Sequence, residues 1–542
     1  MSSALDVREP TTLDEEDVPL VAVTLPVVVP GGSLWTRLRR LAAYRTTWIL
    51  CIAVLALVAR LTALGTAYDV FIDETSYTNI ALSVAHGQGA TLYGLPFVLH
   101  PPAAFGLWGL VIITFGLHGG TLATLYDLRT VDAVLGASTC VVTFLLVDRM
   151  ARRPVAVMAA VLLAIDPLAI SFDSRVMLEA PAQLAVVSMC LFLAWADATK
   201  DDSRRRRVLF AAAGLCGGMA LSTKETFGLV VLVTLVSLLV TGWVVTRREA
   251  LKVIVITVAV YVGSIAADAS SFGFNVWWNA KFVGALRLVG AYQMTGFNSA
   301  QTHVSLLSRV LANSHVFGVT YVLLATGMFC ALGTLWRLEP WYGKRLGREP
   351  SRRASVMVSL WTLSAAAYLV YATLFGTIEE QMYYILLFPS VVSICIWSVG
   401  WSADRTRRWR RVVTALVALA LVVDTGVWSA VHFGHDDEYR SMVAWEQAHV
   451  PVSAVVSATD GTSQFVLPRG VIGQWATVAQ LKRHHVDYVI LATLLVDQGY
   501  GIAHPVFARA VERGGRLVFQ ADGVSDGSLR IYNVQAITGA PL

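Results

Sequence analysis

The chain has 542 residues, 56% hydrophobic and 15% charged, with a net charge of +5 and a mean hydropathy of +0.61. Soluble domains carry about 25% charged residues, so an ordinary soluble globular protein is excluded. The positive excess calls for no nucleic acid, because arginine-rich cytoplasmic loops produce it. Cys51, Cys140, Cys190, Cys216, Cys330 and Cys395 all fall inside apolar runs, which implies neither a disulfide framework nor a metal-binding spacing.

Residues 1–46 read as a cytoplasmic, partly disordered tail. Its apolar part is short, broken by Pro19, Pro26 and Pro30, and lacks the preceding basic segment of a signal peptide. A bilayer core of about 30 Å needs roughly 20 apolar residues per helix. Eleven apolar runs follow, near 47–66, 131–147, 154–170, 180–197, 208–221, 227–245, 253–268, 316–335, 355–375, 383–400 and 412–431. The connections alternate in charge: Arg149–Arg153, Lys200–Arg207, Arg247–Lys252, Arg337–Arg353 and Arg405–Arg411 are basic, and the intervening ones nearly lack cations. The positive-inside rule puts the basic set in the cytoplasm, the N-terminus inside and the C-terminus outside.

Phe105–Leu117 is apolar but short, and reads as an interfacial or re-entrant helix within a first outer loop, 67–130. A second outer loop, 269–314, carries Trp277, Trp278 and Tyr292 in a segment that fits an interfacial amphipathic helix. The region 47–432 is thus a transmembrane domain. From 433 to 542 the pattern becomes that of a small extracytoplasmic α/β domain. SAVVSA, VDYVILA, RLVFQA and LRIYNV read as strands, and 477–485 and 505–514 as helices between them. Asp460 in this part reads as a turn residue. The predicted fold is therefore an α-helical polytopic membrane protein of about eleven spans with a C-terminal α/β unit.

Ionisable residues gather at the outer helix ends. In chain order they are Asp73 and Glu74, His100, Arg175 with Glu179, Lys224 with Glu225, and Glu379, Glu380, Tyr383 and Tyr384. Charged groups at membrane depth are expensive and default to functional hypotheses. A cationic group can hold a phosphate while a carboxylate accepts a hydroxyl proton, the two functions needed for glycosyl transfer from a lipid phosphate.

Plainer readings exist for each residue. Asp73 and Glu74 suit a helix N-terminus, and Arg175 and Glu179 are spaced for an ion pair. His100 suits a loop hydrogen bond, Lys224 a solvated turn, and the tyrosine pair an aromatic belt.

These elements resemble the protein O-mannosyltransferase family. The matching positions are Asp73-Glu74, His100-Pro101-Pro102 and Ser174-Arg175-Val176-Met177-Leu178-Glu179. LRTVDAVLGA (128–137) and LSTKETFG (221–228) also look like parts of those enzymes, and the wider resemblance is to the glycosyltransferase-C superfamily, including the lipid A aminoarabinose transferases. The pattern departs at Glu179, where mannosyltransferases usually carry Asp, and in the terminal α/β unit.

The resemblance implies an inverting glycosyltransferase in the plasma membrane of a bacterium, with its site on the extracytoplasmic face. Its donor would be a polyprenyl-phosphate sugar and its acceptor a hydroxyl of a glycan, lipid or protein. Asp73 would be the general base and Glu74 would orient sugar or acceptor. His100, Arg175 and Lys224 would hold the leaving phosphate, with Glu179, Tyr383 and Tyr384 as further substrate contacts. The mannosyltransferase pattern implies no metal or other cofactor, although other superfamily members use divalent ions. The alternatives are a secondary transporter or lipid flippase, which often shows internal repeats that this chain lacks, and a ligase of preassembled glycans.

Overall fold

The apolar runs fold as long helices, each satisfying its own backbone hydrogen bonds as a membrane requires. The computed structural model describes residues 44–199, 202–291, 305–338, 350–375, 378–402, 407–434, 436–467, 472–497, 502–524 and 527–539. The predicted 1–46 tail and Tyr292 fall almost wholly or entirely outside them. Ile49–Leu542 form one compact unit.

Helix α1 (Arg45–Leu61) leads into the 67–130 segment predicted as a loop, which is mostly structured. It contains α2 (Ile72–Ala85), a hairpin of β1 (Thr91–Leu92) and β2 (Leu95–Pro96), and α3 (Ala103–Phe115). Helix α4 (Thr121–Met150) starts ten residues before the predicted span, so Arg129 lies on a helix rather than in a loop. Helices α5 (Arg153–Ile165) and α6 (Pro167–Asp173) are bent by 62°. The break has a local cause: Asp166 caps α6 through the Ala169 N–H at 2.9 Å, and Pro167 follows at a position that starts a helix.

Helices α7 (Glu179–Ala198), α8 (Ser203–Thr223), α9 (Glu225–Thr241) and α10 (Arg247–Phe272) come next. A single extended residue, Lys224, separates α8 from α9. Gly273, at φ +87°, ends α10 with a backbone conformation that side chains disfavour, and α11 (Phe274–Leu288) begins there. The last long helices are α12 (Leu306–Leu338), α13 (Pro350–Leu374), α14 (Gln381–Ser402) and α15 (Arg407–Phe433).

Among the described residues, seven helices are long and apolar enough to cross a membrane, or eight if α5 and α6 form one bent span. Three of the eleven predicted spans fall short. Helices α1 and α9 have 17 residues each, and α8 carries Arg204–Arg207 near its start. Polytopic membrane character stands; the count of eleven does not follow from length and composition.

The C-terminal part contains α16 (Glu438–His449), β3 (Val456–Ala458), α17 (Gly461–Val466), β4 (Ile472–Gly473), α18 (Val478–Arg483) and β5 (Tyr488–Ala492). It continues with α19 (Thr493–Asp497), α20 (Pro505–Gly514), β6 (Arg516–Asp522), β7 (Ser528–Asn533) and α21 (Gln535–Thr538). The sheet order is β4-β3-β5-β7-β6, with β3 parallel to β4 and β5, and β7 antiparallel to β5 and β6. Leu481, Val489, Leu491, Phe507 and Val511 form its core. This unit docks on the segment after α1: Asp436 N–H donates to Thr66 O at 2.8 Å and Tyr439 N–H to Asp69 at 3.0 Å. Asp460 is the N-cap of α17, accepting from Ser463 N–H at 2.7 Å.

Candidate active site

Helix α2 starts after the extended Phe71, and no side chain caps it. Asp73 and Glu74 therefore lie inside the first turn and cap nothing, although both favour the positive helix end. One residue apart, they point to different surroundings. Glu74 is wholly buried and accepts from Arg129 Nε at 2.7 Å and Nη2 at 2.8 Å. Asp73 is half-buried and faces a cavity of about 1050 Å³, large for a single small ligand.

The turn between α6 and α7 reaches the same cavity because two buried carboxylates hold it. Val176 N–H donates to Glu74 at 3.0 Å, and Met177 N–H to Asp132 at 3.0 Å. Asp132 is fixed in turn by Trp108 Nε1 at 3.1 Å. This arrangement brings Arg175 and Glu179 to the wall. Glu179 pairs with Lys224 rather than with Arg175, and Arg175 donates to Ser171 Oγ at 3.4 Å and lies over the Tyr68 ring. Lys224 is buried, not solvated, and also donates to Gln381 Oε1 at 2.8 Å.

Two cations outside the predicted site residues complete the wall. Lys281 of α11 pairs with Glu225 and donates to Leu99 O at 2.9 Å. Arg287, further along α11, lies 3.9 Å from Glu379. Glu179 Oε2, Thr226 Oγ1 and Trp277 Nε1 are buried without a hydrogen-bond partner among the described residues, and all three residues line the cavity. Leu229 and Leu232 of α9 with Val258 and Ile265 of α10 make an apolar side. Thr462, Leu494 and Leu495 of the C-terminal unit close another.

Burial pushes the Asp73 carboxyl up to about 7, with Glu379 adding to the effect and Lys224 opposing it. His100 lines the cavity, its ring edge-on to Tyr77 with centroids 5.8 Å apart. Burial, helped by Lys224, Lys281 and Arg287, holds its pKa well below the usual range. His100 is thus neutral near pH 7 and carries one ring N–H rather than a charge.

Three expected substrate contacts lie outside the cavity. Glu74 is turned to Arg129, as above. Tyr384 is buried and donates to Asp173 at 2.5 Å, and Arg60 holds the same carboxylate at 2.7 Å. Tyr383 packs edge-on against Tyr321. Both tyrosines sit on the face of α14 that meets neighbouring helices, so packing claims them. Among the described residues no group of three or more His, Cys, Asp or Glu is arranged to hold a metal ion.

The family described as dolichyl-phosphate-mannose-protein mannosyltransferase matches residues 50–267, less than half of the chain. The structure is similar to ArnT from Cupriavidus metallidurans bound to undecaprenyl phosphate. The TM-score is 0.54 at 15% identity, over 92% of this chain and 100% of that one. The two chains share a fold. The archaeal oligosaccharyltransferase AglB from Archaeoglobus fulgidus, in complex with an inhibitory peptide and a dolichol-phosphate, has the same fold. There the TM-score is 0.56 at 14% identity, over 90% of this chain and 73% of that one. No curated protein matches the chain. The mannosyltransferase resemblance read from Asp73-Glu74 to Glu179 thus falls within the matched residues 50–267, and the likeness of fold extends through most of the rest.

Proposed function

We propose that the protein is an inverting membrane glycosyltransferase that moves a sugar from a polyprenyl-phosphate donor to an acceptor hydroxyl outside the cytoplasm. The observation that carries this reading is one cavity that joins a half-buried carboxylate, Asp73, to Lys224, Lys281 and Arg287, and ends on apolar helix faces. The apolar side suits a polyprenyl chain, and the cations suit the phosphate beside it. Undecaprenyl phosphate in the similar ArnT and dolichol-phosphate in the similar AglB support a lipid phosphate as the ligand class.

Asp73 accepts the proton of the acceptor hydroxyl as its oxygen attacks the anomeric carbon. The new C–O bond forms as the bond from that carbon to the phosphate oxygen breaks, and polyprenyl phosphate leaves with the electron pair. The charge that grows on the phosphate meets Lys224, Lys281 and Arg287, with one N–H from neutral His100. Donors fixed before the reaction stabilise such charge better than water does. A carboxyl poised near 7 is a far better base than one at its ordinary value, yet half of it is ionised at neutral pH. No metal or cofactor is assigned a step.

The test uses full-length protein in liposomes, supplied with defined polyprenyl-phosphate sugars and a membrane extract as acceptor source. Free polyprenyl phosphate should appear one-for-one with glycosylated acceptor for at least one head group. Transbilayer movement of intact donor, with no cleavage of any head group, would show a flippase instead.

A further inference from the structure

Five side chains from four segments form a continuous polar arc around the cavity. Glu179 at the start of α7 pairs with Lys224, whose ammonium also donates to Gln381 Oε1 at 2.8 Å. The same Gln381 amide donates from Nε2 to Glu379, and Arg287 of α11 lies 3.9 Å beyond. Gln381 is the pivot: its oxygen faces a cation and its nitrogen a carboxylate, which fixes the amide's orientation. Glu379 is only partly exposed, at 20%, and lines the cavity together with Asp73.

We propose that Glu379 is a positioning residue for the base: held by Gln381 and Arg287, it keeps a fixed negative charge facing Asp73, and the arc joins that charge to the cations that meet the donor phosphate. This rests on the reading of Asp73 as the base. An isolated aspartate at the surface is too weakly basic to take a hydroxyl proton efficiently. A carboxylate alongside strengthens it, and a cation weakens it.

Titratable groups surround Asp73 from each packed element, with the paired Lys281 of α11 and Glu225 of α9 in the same cavity wall. Tyr77 is on its own helix and His100 on the adjoining loop, the first protonated and the second neutral near pH 7. Glu179, Lys224 and Arg287 come from α7, the α8–α9 junction and α11, and Arg175 from the α6–α7 turn. Glu379 and Glu380 come from the segment before α14, where Asn313 holds Glu380 at 3.0 Å. Of the charged neighbours, Glu379 acts most strongly on Asp73, and Arg287 acts in the opposite sense. Donor phosphate that draws Arg287 away from Glu379 therefore leaves Asp73 more basic at the moment a proton must be taken.

Full-length protein in detergent, without substrate, tests this by carbodiimide and glycine ethyl ester labelling of Asp73 across pH, read peptide by peptide. Glu379→Gln should lower the midpoint by about one unit, and Arg287→Gln should raise it. A purely structural ion pair predicts no such opposite pair of shifts. Glu379→Asp keeps the charge and should keep the wild-type midpoint. A midpoint unmoved in both Glu379→Gln and Arg287→Gln would overturn the proposal, as would Glu379→Asp falling with Glu379→Gln. If Glu379→Gln does not fold, Gln381→Leu takes its place, since it frees Glu379 from the arc and should lower the midpoint in the same sense. None of these outcomes depends on transfer activity, so failure here is separable from failure of Asp73 as the base.

Discussion

Arg129 clamps Glu74 with two parallel hydrogen bonds, 2.7 and 2.8 Å long, between groups 55 residues apart. The remaining guanidinium hydrogens hold the Leu64, Ala67 and Tyr68 carbonyls. The adjacent acids therefore divide the work: Glu74 anchors the start of α2, and the anchored helix turns Asp73 toward the cavity.

Glu74→Gln leaves Arg129 buried without a counter-charge. Breaking one side of a buried pair costs about 3–5 kcal/mol, so thermal unfolding in detergent should fall well below wild type, with loss of the Asp73 and Val176 geometry. An unfolding temperature equal to wild type would contradict the anchoring role.

A second scaffold contact is equally specific. A methyl group on Gly136 of α4 would overlap Asp173 Cγ, the carboxylate shared by Arg60 and Tyr384. Gly136→Ala should destabilise by about 1–3 kcal/mol, as overpacking does, and a thermal melt measures it. Gly263→Ala, inside α10, meets nothing within 4 Å and serves as the control, expected to raise stability slightly by helix propensity alone.

The helices and the ends they present were legible because hydrophobicity is a local property of the sequence. Asp73, His100, Arg175, Glu179 and Lys224 were found as polar residues at apolar ends, and all five line the cavity. The pairings were not legible. Arg60 and Asp173 are 113 residues apart and Lys224 and Gln381 are 157 apart, and nothing local marks them as partners. Arg60 and Asp173 leave no local mark because a single charge barely alters an apolar average, and Arg129 and Asp132 stand out only as part of LRTVDAVLGA, which says nothing of their partners. Lys281 and Arg287 fall in a connection between apolar runs, where a cation has no local feature that ties it to a site. The tyrosines at 383 and 384 looked like membrane-interface residues, whereas α14 turns them inward.

The cations can be separated by their surroundings. Arg287 and Glu379 are 29% and 20% exposed, so Arg287→Gln should leave stability nearly unchanged. Its transfer rate should still fall, by about 10²–10³-fold if the contact resembles a single oxyanion donor. Lys224→Ala should lower both rate and stability, because it strands the wholly buried Glu179. Wild-type kinetics in both variants would move the phosphate elsewhere.

Transfer should depend on pH through Asp73. Its carboxyl is raised to about 7, and the ionised form is the base. Below that value kcat/KM should fall tenfold per pH unit, and above it the rate should level off. Glu379→Gln should carry the acid limb to lower pH. An acid limb near pH 4 in the wild-type enzyme would remove Asp73 from the role, or place it in a more polar setting once substrates bind.

The most direct measurement is single-turnover transfer by Asp73→Asn with the donor that wild type cleaves. Asparagine keeps the size and hydrogen-bonding reach of aspartate but cannot accept the proton. The expected result is donor binding and thermal stability close to wild type, with sugar transfer abolished. A well-folded Asp73→Asn protein that transfers sugar at the wild-type rate would contradict a carboxylate base at this position.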